Sequence, residues 1–147
     1  MKGERRQVTV LFADCKGLLD LLADCDPEEA RVLLDGVLER MRDAVHRYDG
    51  MVNQVMGDGI MALFGAPLEF EDHAIRACHA ALAMPEAIAR YNAEVRRSQR
   101  LTTQIRVAVN SGEVLVRALG SDLRMDYTAV GDTVTVASHL LECPESH

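Results

Sequence analysis

Hydrophobic positions along the chain recur with two different periods. Residues 7–13 (Q-V-T-V-L-F-A) are mostly apolar and rich in β-branched residues, the pattern of a central strand buried on both faces, and the run ends on Asp14. Cys15-Lys16-Gly17 reads as a turn and residues 18–22 as a short apolar helical piece. The period then lengthens. Leu34, Val37, Leu38, Met41, Val45 and Tyr48 recur at helical spacing, so a helix runs to about Arg47. Asp26 is placed to accept from its first-turn amides, Pro27 suits the first helical position, and Glu29 would complete a capping box. Asp49-Gly50 closes this helix, with Gly50 as a left-handed cap. Two apolar runs, 51–55 and 60–64, then flank Gly57-Asp58-Gly59, which predicts a tight β-hairpin with a carboxylate at its turn.

Gly65-Ala66-Pro67 ends that hairpin, and acids at 69–72 open a second long helix. Its expected buried face is Ile75, Cys78, Ala81, Leu82, Ile88 and Val95, with a kink or break after about Ala83 because Pro85 falls inside the pattern. A polar basic loop (96–101) leads to a strand at 103–110, a turn at Ser111-Gly112 and another strand at 113–119. A loop opening on Gly120-Ser121-Asp122, an extended piece at 125–130 and a helical stretch at 133–142 complete the chain. The order is β-α-β-β-α-β with one further strand and helix: an α+β, ferredoxin-like sandwich with two long helices on one face of an antiparallel-containing sheet.

With 147 residues the chain suits one domain, residues 1–147, and its polar, abrupt start gives the expectation that it is cut from something longer. The net charge of −7 argues against nucleic acid and membrane surfaces as partners, since phosphate contacts need clustered Lys and Arg. An acidic protein that handles nucleotides would reach their phosphates through a divalent cation. No apolar run approaches the ~18 residues of a membrane span. Cys15, Cys25, Cys78 and Cys143 are widely spaced without a C-x-x-C pair, which points to free thiols in a cytoplasmic setting rather than zinc.

The chemistry narrows to two strand-end aspartates. In a βαββαβ sheet the first strand neighbours the central hairpin, so Asp14 and Asp58 can share an edge, an arrangement that suits Mg²⁺ with its hard oxygen ligands. The carbonyl of Cys15 offers a further ligand, and the amides of Cys15 to Leu18, through Gly17, can receive phosphate oxygens. The alternative is that Asp58 only serves its turn and Asp14 only ends its strand. No phosphate-loop, dinucleotide or nucleophile-elbow motif competes.

Four stretches carry a resemblance: F-A-D-C-K-G at 12–17, V-N-Q-V-M-G-D-G-I-M-A-L-F-G-A-P at 52–67, V-A-V-N-S-G-E-V at 107–114 and R-M-D-Y-T-A-V-G-D-T-V at 124–134. Together they resemble class III adenylate/guanylate cyclase catalytic domains, in order and spacing, over nearly the whole chain, and the bacterial kind fused to ATPase or helical-repeat regions in particular. The resemblance implies conversion of ATP, or GTP, to the 3′,5′-cyclic nucleotide and pyrophosphate for cyclic nucleotide signalling. It implies two ions, Mg²⁺ or Mn²⁺, on Asp14 and Asp58. It also implies a homodimer with shared sites, metal ligands from one protomer and base-reading and transition-state residues from the other.

Departures from the family pattern are specific. The purine-reading position holds Gln54 and its partner position Thr128, and an amide can offer either a donor or an acceptor. The Asn and Arg that serve the transition state in the family fall on Thr135 and His139. Leu18 and Leu19 stand where the family has Phe and Thr, read as contacts at the dimer interface, and Arg117 replaces a common Gly. The family's phosphate-binding Lys and terminal strands would follow His147. Two readings therefore stand side by side: a cyclase of reduced rate, and a catalytically degenerate cyclase-homology domain that dimerises or senses nucleotide to regulate an attached effector.

Overall fold

The computed structural model describes residues 4–66, 68–95, 104–119 and 126–142. Expectations for Pro67, the 96–101 loop, Thr103, the loop opening at Gly120, Met125, Cys143 and His147 lie outside the described residues, as do the side chains of Leu19, Arg117 and Thr128. The elements run β1 (Glu4–Lys16), α1 (Leu18–Leu22), α2 (Pro27–Arg47), β2 (Met51–Met56), β3 (Gly59–Phe64), α3 (His73–Val95), β4 (Gln104–Leu119), β5 (Asp126–Val130) and α4 (Asp132–Glu142). The five strands pair antiparallel in the order β2-β3-β1-β4-β5, so the ferredoxin-like α+β expectation holds, with β5 as the extra strand and α4 as the extra helix.

Alternation along β1 divides its side chains between two cores. Leu11, Ala13 and Cys15 face α2 and α3 with Ile60, Ala62 and Phe64 of β3. Val8, Val10 and Phe12 face the other way, where Met61, Leu63, Val114 and Val116 join them and Ala137 of α4 packs. Burying residues such as Leu11, Phe64 and Met41 contributes about 1.5–3 kcal/mol each. Thr9 is the one polar side chain fully inside the described core. Its hydroxyl lies 2.7 Å from His73 Nδ1 and 2.6 Å from the Ser111 hydroxyl, so it is satisfied on both sides.

Several local expectations are corrected. β4 is one unbroken strand, with no turn at Ser111-Gly112, because thirteen-residue β1 pairs with it from Glu4↔Val116 to Lys16↔Gln104. Gly112 is there for space instead: a Cβ would meet the Thr133 hydroxyl at 2.6 Å. Helix α3 runs through Pro85, which lies on the exposed side, where solvent can replace the bond lost to the Ala81 carbonyl. Its buried face is Ala77, Ala80, Met84, Ile88 and Tyr91, while Ile75, Cys78 and Leu82 point outward. Asp26 starts α2 through its backbone carbonyl, bonded to the Ala30 amide at 2.8 Å, and its side chain makes no cap hydrogen bond. The left-handed residue after α2 is Asp49 (φ 64°), not Gly50. Leu18 is fully buried in the chain's own core and is not available to a partner.

Gly50 is held by packing. A Cβ there would lie 2.5 Å from the Phe64 ring and 2.8 Å from Val45. An alanine in an exposed loop usually stabilises by restricting the unfolded chain. Here overpacking wins, and Gly50→Ala is expected to destabilise by about 1–3 kcal/mol, read as a lower urea midpoint with an unchanged slope.

Candidate active site

The register of β1 against β3 ends on Asp14↔Gly59. A two-residue turn, Gly57-Asp58, precedes Gly59, with Gly57 taking the positive φ (51°). Gly59 itself is a strand residue rather than part of the turn. A Cβ on it would sit 2.2 Å from the Ala13 carbonyl oxygen and 2.8 Å from Asp14 Cβ. Its missing side chain lets the hairpin close onto β1, and the Cys15 amide donates to the Asp58 carbonyl at 3.2 Å. That amide is therefore occupied and is not free to receive a phosphate oxygen. Gly17, in the left-handed region (φ 78°), starts the five-residue α1, whose first residue is Leu18.

Asp14 and Asp58 are thus brought together as the hairpin reading requires. Burial raises the Asp58 carboxyl above the ordinary carboxylate range, and the negative charge of Asp14 adds to the shift. Across the sheet, β4 pairs Arg106 with Asp14. The Arg106 guanidinium donates through Nε at 2.8 Å and through its terminal nitrogen at 2.6 Å to the two oxygens of Asp14, a fork matched to a carboxylate. The hydrogen bonds to Asp14 raise the Arg106 pKa, and the negative charges of Asp14, Asp58 and Glu142 add to that shift. Arg106 was not singled out by motif reading. Its signal is period-two alternation: Gln104, Arg106 and Asn110 fall on one face of a strand whose other face is Ile105, Val107 and Val109.

Gln54 is exposed on β2, and Thr128 lies on β5 opposite Arg117 of β4. These strands form opposite edges of the sheet, yet β2 and β5 approach each other, so the sheet is curled rather than flat. The elements carrying the two expected base-reading positions are therefore neighbours. Thr135 and His139 are exposed on α4 and make no hydrogen bond or ion pair to Asp14 or Asp58 within the chain. The Thr135 hydroxyl donates instead to the Gly131 carbonyl one turn back, at 3.3 Å. The start of α4 is tied to β4 by Asn110 Nδ2 donating to the Thr133 carbonyl and the Thr133 hydroxyl donating to the Glu113 carbonyl.

The family model for the adenylate and guanylate cyclase catalytic domain matches residues 1–146. The chain belongs to this family. As a cyclase-family domain it is 33% identical over 136 residues to adenylate cyclase 1 of Rhizobium meliloti (strain 1021), covering 92% of this chain and 20% of that protein. The crystal structure of the guanylyl cyclase Cya2 superposes with a TM-score of 0.88 at 32% identity, over 97% of this chain and 72% of that one. That of the adenylyl cyclase CyaB from P. aeruginosa does so with a TM-score of 0.89 at 29% identity, over 99% and 76%. Against the curated relatives the cyclase-family chain spans about a fifth to a quarter of their length.

The raised carboxyl of Asp58 has a consequence for stability. The folded state holds that proton more tightly than the unfolded chain, so folding loses stability as pH rises from the ordinary Asp value through the raised one. Asp58→Asn removes this loss. The variant is expected to melt above the wild type at pH 7, with the gap closing below about pH 4. Equal melting at both pH values would contradict it.

Proposed function

We propose that this domain converts a nucleoside triphosphate, ATP by default and GTP as the alternative, into the 3′,5′-cyclic nucleotide and pyrophosphate. The observation that carries the reading is the pairing of Asp14 and Asp58 at the Gly59 register, with Arg106 opposite. Two carboxylates close enough for the charge of Asp14 to act on Asp58, on a rigid sheet, fit Mg²⁺ or Mn²⁺, and the Cys15 carbonyl would be a third oxygen. Two bound ions would supply the charge that readies the ribose 3′-oxygen and steadies the triphosphate.

The chain's own residues do the rest. Asp14 and Asp58 hold the ions, and Arg106, once its fork is shared between Asp14 and phosphate, neutralises the triphosphate as charge moves toward the leaving group. The Gly17-Leu18 backbone lies beside the phosphates. Gln54 and Thr128, which meet the purine edge, act from a second copy together with Thr135 and His139. Val136 and Leu140 beside them are 45% and 48% exposed, which suits a homodimer that covers α4. Fusion to further domains, cyclic nucleotide signalling and a cytoplasmic location belong to the same reading. Among the described residues, no helix is long and apolar enough to cross a membrane.

One observation favours a second reading. The Thr135 hydroxyl is already engaged by its own helix, and a short side chain there is a poor substitute for a transition-state donor. On that reading the domain is a catalytically degenerate module that dimerises or senses nucleotide.

The test is cyclic nucleotide formation with Mn²⁺ and either ATP or GTP, on the full-length protein. The wild type should exceed background and Asp58→Ala should fall to it. Thr135→Asn with His139→Arg should raise the rate by roughly 10²–10³-fold. A wild type indistinguishable from Asp58→Ala contradicts the enzyme reading. Undetectable turnover with nucleotide binding retained, unchanged by restoring Asn and Arg, supports the regulatory one.

A further inference from the structure

Strand β2 is irregular at one point. Val52 pairs with Ala62 and Gln54 with Met61, so Asn53 is an extra residue, a β-bulge opposite no partner of its own. Without the bulge, alternation would place Gln54 on the same side as Val52, against α2 and α3. The packing shows that it does not. Met51 and Met56 are five residues apart, an odd number that puts two residues of a regular strand on opposite faces, yet both pack on the second core beside Met61 and Leu63. The bulge therefore turns Gln54 to the face that carries Asp14 and Arg106.

Asn53 lies on that same face. Its Nδ2 donates weakly to Met61 Sδ at 3.8 Å, and Met61 is also the register partner of Gln54. Its Oδ1 is buried and has no hydrogen-bond partner. An orphaned buried acceptor costs stability and folding alone does not explain it. Two amide side chains thus sit side by side on the open face, one exposed and one with an acceptor to spare.

We propose that Asn53 is the positioning residue for purine selectivity: it presents Gln54 to the base and, through Oδ1, accepts one N–H of the Gln54 amide so that the amide cannot flip. The inference rests on the reading of Gln54 as the base-reading position. A free amide reads either purine by rotating, because adenine offers a donor beside an acceptor and guanine the reverse. A pinned amide offers one order only. Adenine and guanine are then told apart by a neutral residue, with the choice set one position upstream.

Calorimetry with ATP and GTP analogues bearing a methylene between the α and β phosphorus atoms, in Mn²⁺, tests this without turnover. The wild type should prefer one purine by about fivefold or more. Asn53→Ala should bring the two affinities within about twofold, and Asn53→Asp, which keeps the acceptor, should retain the preference. Inorganic tripolyphosphate should bind all variants alike. Asn53→Ala should melt no lower than the wild type, since truncation removes an orphaned group. Equal purine affinities in the wild type, or an Asn53→Ala variant that keeps the preference while Gln54→Ala loses it, overturn the inference. So does a marked fall in melting temperature for Asn53→Ala, which would make the residue structural. If Gln54→Ala itself keeps the preference, the base-reading assignment falls and this inference falls with it.

Discussion

A side chain at residue 59 would collide with the Ala13 carbonyl oxygen, a backbone atom that cannot move aside without breaking the sheet. Strands β1 and β3 close at the Asp14↔Gly59 register because that side chain is absent. Everything at the candidate site follows from this closure. It sets the Asp58 turn against the end of β1, places two carboxylates within each other's field, and leaves Arg106 on the adjoining strand as their counter-charge. The sheet supplies the rigidity, since β1 is central and buried on both faces by separate clusters.

The two faces divide the work. One is closed by α2 and α3 and supplies the packing that holds the domain together. The other is only partly covered by α4 and carries Asp14, Arg106, Asn53 and Gln54, with Thr135 and His139 exposed on the covering helix. Local cost collects on this face and at the hairpin turn beside it. Asp58 has a carboxyl raised by burial and by the charge of Asp14, and Asn53 has an orphaned acceptor.

Much of this is legible in the sequence. The apolar run before Asp14, the Gly57-Asp58-Gly59 hairpin and the 3.6-residue period of α2 each stated their element because local chemistry and burial agreed. Where the two diverge, the local pattern misleads. Helix α3 buries Ala77 and Ala80, small residues with little apolar signal, and exposes Ile75 and Leu82, so its apolar pattern points to a rotated face. Ser111-Gly112 has turn chemistry, yet β1 needs a partner of its own length and the Thr9 hydroxyl engages Ser111 inside the ladder. Arg106 and the Asn53 bulge needed the register itself, which is set by pairing between distant strands rather than by any local pattern.

The central claim is that the Asp14–Asp58 pair is a cation site for a triphosphate. Crystals grown with Mn²⁺ and a methylene-bridged nucleotide, measured at the manganese absorption edge, address it directly. The account predicts anomalous density between the Asp14 and Asp58 carboxylates, with Arg106 turned from Asp14 toward phosphate. Manganese bound elsewhere, with the Arg106–Asp14 fork intact and the nucleotide in place, would contradict it.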